Sequence, residues 1–326
     1  MKKNMTDTMT ENSVTLIIPT VNRPELVRRC VESIHNQSFT GLIKCIVVDS
    51  SNNQKTEKII NTFKITKNNF ELVYRKNSNS LRAIDNWIFA IDDIESEFSK
   101  FICDDDWLEE TFLEKKIRII KDKNVDCVMS NIKIHKDFSK KKGVTNDYYK
   151  FDEGLINQNQ IVNSFLGLDS ILPVTPTASL MKSDVFKDSF YSSLEHLDCT
   201  EKLFGFDFYM SYYAAFLGNG TYLINNSLSD SWAGNDSMTL NAKKANISYC
   251  YFFALLRLID RSNFKTTTAQ NKIIQHMLGV IILKGIFNKQ IKKIQITTAY
   301  KPRIIFTKLL LGYLKKIFIK FKYKFS

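Results

Sequence analysis

Residues 101–107 read FICDDDW, so three carboxylates, Asp104, Asp105 and Asp106, stand in a row after the apolar approach of residues 99–103. A charged, helix-like segment follows over residues 109–121. Adjacent acids at one strand end repel each other unless a cation or a set of donors sits among them, and an oxygen-rich site of that kind suits Mg2+ or Mn2+. Such an ion in turn suits a diphosphate. The same cluster also reads as an acidic turn capping the next helix, where Asp favours the helix dipole.

The elements that must carry these acids lie upstream. Residues 14–19 (VTLIIP) predict a buried strand and residues 20–24 (TVNRP) the turn that leaves it. Leu26, Val27, Cys30, Val31 and Ile34 then recur at helical spacing over residues 25–37, with Pro24 where a first turn tolerates it. Residues 44–49 (KCIVVD) predict a second buried strand, ending in Asp49. A short helix over 54–63, a third strand over 70–74 and a helical pattern over 81–94 complete the approach. Apolar strands alternating with helices predict an α/β fold with a mostly parallel, Rossmann-like sheet covered on both faces. Ligands in such sheets sit at the carboxyl ends of the strands, which here carry Thr20, Asn22, Arg23, Asp49 and Asp104 to Asp106.

Four pieces in this order, residues 17–23 (IIPTVNR), 47–52 (VVDSSN), 85–87 (DNW) and 101–106 (FICDDD), resemble the nucleotide-sugar-binding half of family 2 glycosyltransferases with the GT-A fold. The likeness is greatest to the bacterial abequosyltransferase-like group that builds surface polysaccharides. It covers residues 13–125 well and 175–240 more loosely. The resemblance implies that the turn at Pro19, Thr20 and Asn22, with Arg23 beside it, wraps the base and ribose of a nucleotide diphosphate sugar. Asp49 would accept a hydrogen bond from the base and Arg82 would reach the diphosphate. Asp49 as a plain loop cap and Arg82 as a solvated helical arginine are the alternative readings. In the metal motif Cys103 falls where the family's first Asp often stands, which makes Asp105 the principal ligand and Asp104 a ribose or sugar contact. Read as Asp104-x-Asp106, the ligand moves by one.

Residues 203–210 (LFGFDFYM) open an aromatic helix that runs to Leu217 and stops at Gly218. The resemblance assigns Asp207 as the general base of an inverting transfer, although the Glu that usually precedes it is replaced by Phe206. The alternative is an Asp that stabilises a helix start. Residues 229–238 resemble the family's loop that closes over the donor, with Asn235, Asp236 and Ser237 as candidates.

The net charge of +12 is not a nucleic-acid signal, because eleven Lys and Arg with no Asp or Glu fall between Lys289 and Ser326 and leave the preceding residues at about +1. Lys301, Lys308, Lys315 and Lys322, seven apart, predict a basic amphipathic tail that lies on an anionic membrane surface rather than crossing it. A disordered basic tail is the other reading. Six scattered cysteines without a C-x-x-C pair imply neither a zinc site nor a disulfide framework. The polar opening residues predict a cytoplasmic body, peripheral at the inner face of the cytoplasmic membrane. The expected order is a disordered N-terminus (1–12), a nucleotide-sugar half (13–125), an acceptor half with the base (126–240), a helical hairpin (241–288) and the tail (289–326).

The expected activity is a metal-dependent inverting transfer of a hexosyl or deoxyhexosyl group from a nucleotide-diphosphate sugar to a lipid-linked oligosaccharide, using Mn2+ or Mg2+. Its rival is a non-enzymatic membrane or nucleic-acid adaptor in which the basic tail acts and the acids only cap a helix. A nucleotidyltransferase is disfavoured, since no Gly-rich phosphate loop opens the chain.

Overall fold

The computed structural model describes residues 10–78, 83–135, 144–145, 147–197, 205–233 and 244–283. Arg82, the 234–243 part of the donor-loop candidate and the basic tail lie outside them. The chain divides into two compact units, Met1–Phe264 and Lys265–Ser326.

In the first unit β1 (Thr10–Thr20), α1 (Pro24–His35), β2 (Leu42–Asp49), α2 (Lys55–Asn61), β3 (Phe70–Lys76), α3 (Ala83–Ile91) and β4 (Ser96–Phe101) alternate as the apolar runs foretold. They are followed by β5 (Trp107–Leu108), α4 (Phe112–Lys123), β6 (Cys127–His135), β7 (Val144–Thr145), β8 (Gly154–Ile156) and α5 (Gln158–Phe165). A one-turn 3-10 helix, Pro176–Ala178, leads into β9 (Ser179–Lys182), α6 (Ser183–His196), α7 (Phe206–Leu217), β10 (Thr221–Trp232) and α8 (Lys244–Ser262). In the second unit the described helix is α9 (Thr268–Leu283). The two apolar helices expected as a hairpin therefore fall in different units.

The strands form one sheet in the order β3-β2-β1-β4-β9-β6-β10-β5, with β7 on β6 and β8 on β10. β3, β2, β1 and β4 are parallel, β9 runs antiparallel between β4 and β6, and β6 and β10 are parallel again. The expected parallel sheet is thus interrupted by a short reversed strand. β1 starts at Thr10, three residues before the expected boundary of the ordered body, where β4 and the residue before it offer partners: Thr10 N–H donates to the Glu95 carbonyl at 2.9 Å and Asn12 N–H to the Glu97 carboxylate at 2.7 Å.

Strand alternation sends side chains to two cores. Val14, Leu16 and Ile18 face the helices α1 and α4, where Val27, Cys30, Val31, Ile34, Phe112, Leu113 and Ile117 close a buried cluster. On the opposite face Phe101 stacks on Trp87 of α3 at 4.4 Å and packs on Phe186 and Phe190 of α6 at 4.8 and 5.6 Å. Trp87 in turn meets Phe206 of α7 at 5.3 Å. This aromatic stack packs the last residue of β4 and the first residue of α7 around Trp87. Both ends carry the candidate acids.

Phe101 is 2% exposed, so Phe101→Ala is expected to lower the unfolding free energy by about 3–5 kcal/mol. Equilibrium urea denaturation checks this.

Candidate donor and acceptor site

The ends of β1, β2 and β4 meet because β1 pairs with both neighbours in parallel, with Thr20 opposite Asp49 and Ile17 opposite Phe101. Asn86 of α3 pins the two loops that follow. Its amide donates to the Ser50 hydroxyl at 3.0 Å and the Thr20 carbonyl at 3.4 Å, while its oxygen accepts from Asn77 at 2.9 Å. At Asn22 the backbone enters the left-handed region (φ 55°), which Asn tolerates better than most residues. There the Asn22 N–H donates to the Ser51 hydroxyl at 2.7 Å, and its side-chain oxygen accepts from Asn53 at 2.9 Å. Pro19 is half-buried at the last turn of the strand.

Asp49 is fully buried and accepts from the Ser51 N–H at 2.8 Å, the Ser51 hydroxyl, the Tyr74 hydroxyl at 2.8 Å and the Lys76 ammonium at 3.3 Å. It anchors the 50–53 loop. A base N–H could reach it only where one of these donors yields, and the Lys76 contact is the longest.

The acidic loop is threaded among fixed donors. The Thr20 hydroxyl donates to Asp104 at 2.7 Å, and one Arg23 nitrogen bridges Asp104 and Asp105 at 3.1 Å each. Arg29 of α1 donates to the Asp105 carbonyl at 2.5 Å while its guanidinium lies 3.9 Å over the Trp107 ring. Asp106 accepts from the Trp232 N–H at 3.1 Å and from the Thr177 hydroxyl. Arg29 and Thr177 had no motif to announce them in the sequence, and Trp107, which closes the 101–107 run, had no sign of its contact with Arg29. A cavity of about 590 Å3 lies beside this support, lined in part by Arg29, Trp107, Lys67 and Glu110, and none of the three carboxylates lines it.

The carboxylates expected as one set do not converge on one point. Donor atoms of Cys103, Asp105 and Asp106 lie within 4.8 Å of one another, whereas Asp104 is turned to Thr20 and Arg23. Burial, reinforced by the neighbouring Asp105, raises Asp104 to about 6 and Asp106 to about 8. Buried acids displaced in this direction are in want of positive charge. The two carboxylates are hard oxygen donors suited to Mg2+ or Mn2+, so the site fits such an ion; the Cys103 thiol, pushed well up by burial, suits it less.

Asp207 sits in the first turn of α7, half-buried. Gly205 before it adopts φ 91°, and a Cβ there would stand 2.7 Å from the Cys250 carbonyl, so glycine permits the close approach of α8. One Asp207 oxygen accepts from the N–H groups of Phe208 at 2.9 Å and Gly205 at 3.2 Å, which is the helix-start role. The other accepts from the Tyr251 hydroxyl at 2.9 Å. Burial raises the Asp207 carboxyl to about 6 against these stabilising donors. Tyr251, on α8, is a partner that sequence spacing does not reveal.

An acid whose folded pKa is raised binds a proton in the native state that it has already lost when unfolded, so its contribution to stability falls as pH rises from about 4 to about 6. The stability of the natural protein relative to Asp207→Asn is expected to decline across that window and stay flat above it. Urea titrations at pH 4, 5, 6 and 7 measure the difference.

Residues 15–190 match the family model described as "Glycosyl transferase family 2". Among curated proteins the chain is similar to "Putative glycosyltransferase EpsH" of Bacillus subtilis (strain 168), 29% identical over 119 residues, 36% of this chain and 33% of that one. It is also similar to "Glycosyltransferase GlyG" of Streptococcus pneumoniae serotype 4, 21% identical over 193 residues, 57% of this chain and 62% of that one. The match spans less than two thirds of either relative's length. Among solved structures, S. aureus TarS 1–349 in complex with UDP-GlcNAc superposes with a TM-score of 0.59 at 16% identity, over 85% of this chain and 74% of that one. Its complex with UDP gives 0.56 at 18% identity, over 83% and 72%. At such identities these two show a shared fold.

Proposed function

This chain belongs to glycosyltransferase family 2, and from that membership we propose a metal-dependent inverting transfer of a hexosyl or deoxyhexosyl group from a nucleotide-diphosphate sugar to a lipid-linked oligosaccharide, in bacterial surface polysaccharide (O-antigen or capsule) synthesis. The observation that carries it is the acidic loop at the carboxyl end of β4, with Asp105 and Asp106 close together and Thr20, Arg23 and Arg29 around them. Family membership favours an enzyme over the adaptor reading. The UDP complexes of the similar TarS fold make a uridine nucleotide the first donor to try.

Asp105 and Asp106 would hold Mn2+ or Mg2+, which supplies positive charge for the diphosphate as it leaves. Arg23, which bridges Asp104 and Asp105, would offer its guanidinium to phosphate where the cation takes over the charge of Asp105. Pro19, Thr20 and Asn22 hold the turn beside the base and ribose, with Asp49 fixing the loop opposite. Asp207 takes the proton of the acceptor hydroxyl as that oxygen attacks the anomeric carbon from the face opposite the leaving diphosphate. A carboxyl raised to about 6 is still ionised at neutral pH and more basic than a solvated one. The Tyr251 hydroxyl keeps one carboxylate oxygen in place. Among the described residues no helix is long and apolar enough to cross a membrane; attachment to the inner leaflet falls to the basic tail.

Calorimetric titration of the full chain with a panel of nucleoside diphosphates, with Mn2+ or with chelator, tests the donor site. Metal-dependent binding is expected, and Asp105→Asn and Asp106→Asn are expected to abolish it in folded protein. Asp207→Asn is expected to keep that binding while turnover falls on the order of 10²–10⁴-fold. Nucleotide binding that ignores both metal and these substitutions would contradict the assignment.

A further inference from the structure

Two lysines are buried completely beneath the acidic loop, Lys100 on β4 and Lys116 on α4. Their ammonium groups lie over the ring of Phe112 at 4.2 and 4.3 Å. Two like charges in a dry core are costly, and apolar side chains of similar volume would normally pack there at no such cost. Burial accordingly pulls both amines down, Lys100 to about 7, with Lys100 further lowering Lys116.

What these amines bind gives the reason for their presence. Lys100 donates to the Thr177 carbonyl at 2.7 Å, and Lys116 donates to the Val128 carbonyl at 3.3 Å and to the Ala178 carbonyl. Both therefore grip the Pro176–Ala178 turn, which Thr175 also caps by accepting from the Thr177 N–H at 3.3 Å. The Thr177 hydroxyl is the donor to Asp106. A continuous path runs from a buried amine through one residue to a candidate metal-binding carboxylate.

We propose that Lys100, assisted by Lys116, is a positioning residue of the donor site: by holding the 3-10 turn through its carbonyls it presents the Thr177 hydroxyl to Asp106 and fixes the acidic loop in the form that binds a divalent cation and a diphosphate. This rests on the donor-site reading above. The lysine touches neither substrate nor ion.

The test measures Mn2+-dependent UDP affinity and thermal midpoint in the full chain for Lys100→Met, Thr177→Val, Thr177→Ser and the Lys100→Met/Thr177→Val double variant. Lys100→Met and Thr177→Val are each expected to weaken binding by about 10- to 100-fold, the scale of a lost hydrogen bond to a charged group. Thr177→Ser keeps the hydroxyl and is expected to bind as the natural protein does. The double variant is expected to be no weaker than the worse single one, since both break the same path. A core substitution on a different helix, Ile161→Ala on α5, where Ile161 is buried, controls for destabilisation and is expected to lower the midpoint without moving the affinity. Folded Lys100→Met with unchanged affinity, or losses that simply add in the double variant, overturn the proposal and leave the donor site standing. Should Lys100→Met not fold, unchanged affinity in Thr177→Val overturns it equally. A natural protein that binds no nucleotide overturns both.

Discussion

Three carboxylates in a row cannot lie at the end of a buried strand without compensation, and most of the site answers to that constraint. At 4 Å two unit charges in a protein-like medium repel by about 4 kcal/mol. Each carboxylate is met differently. Asp104 is tied to Thr20 and Arg23, Asp105 shares Arg23 and has its carbonyl held by Arg29, and Asp106 takes the Thr177 hydroxyl and the Trp232 N–H. The compensation is incomplete: burial still raises Asp104 and Asp106. That remaining demand for positive charge is what the proposed cation, which carries the diphosphate, would meet.

The fold exists to bring those donors to one place. Parallel pairing puts the ends of β2, β1 and β4 side by side, and Asn86 ties the loops that leave them. On one face of the sheet the aromatic stack from Phe101 through Trp87 to Phe206 joins the end of β4 to the first turn of α7, which carries Asp207. The end of β4 and the start of α7 thus pack on one aromatic core.

Much of this was legible in the sequence because the signals were local. Apolar runs at 14–19 and 44–49 gave buried strands, Pro24 began α1, and Gly218 ended α7. Residues placed by distant pairing were not legible. Arg29 and Thr177 reach the acidic loop across more than 70 residues of chain, and no spacing rule links them to it. Lys100 and Lys116 defeat the ordinary expectation that lysine lies at the surface. The register of the metal motif stayed open from sequence since a run of equal acids carries no phase; only the turn of Asp104 toward Thr20 and Arg23 distinguishes it from Asp105 and Asp106.

The most direct test of a cation-dependent donor site at the end of β4 is a crystal structure grown with Mn2+ and UDP, with anomalous scattering recorded to locate the manganese. The account predicts an anomalous peak within coordination distance of Asp105 and Asp106, with the diphosphate on it and the nucleoside beside Thr20 and Asn22. A well-bound UDP lying elsewhere, or one held at this strand end with no manganese on either carboxylate, would contradict it.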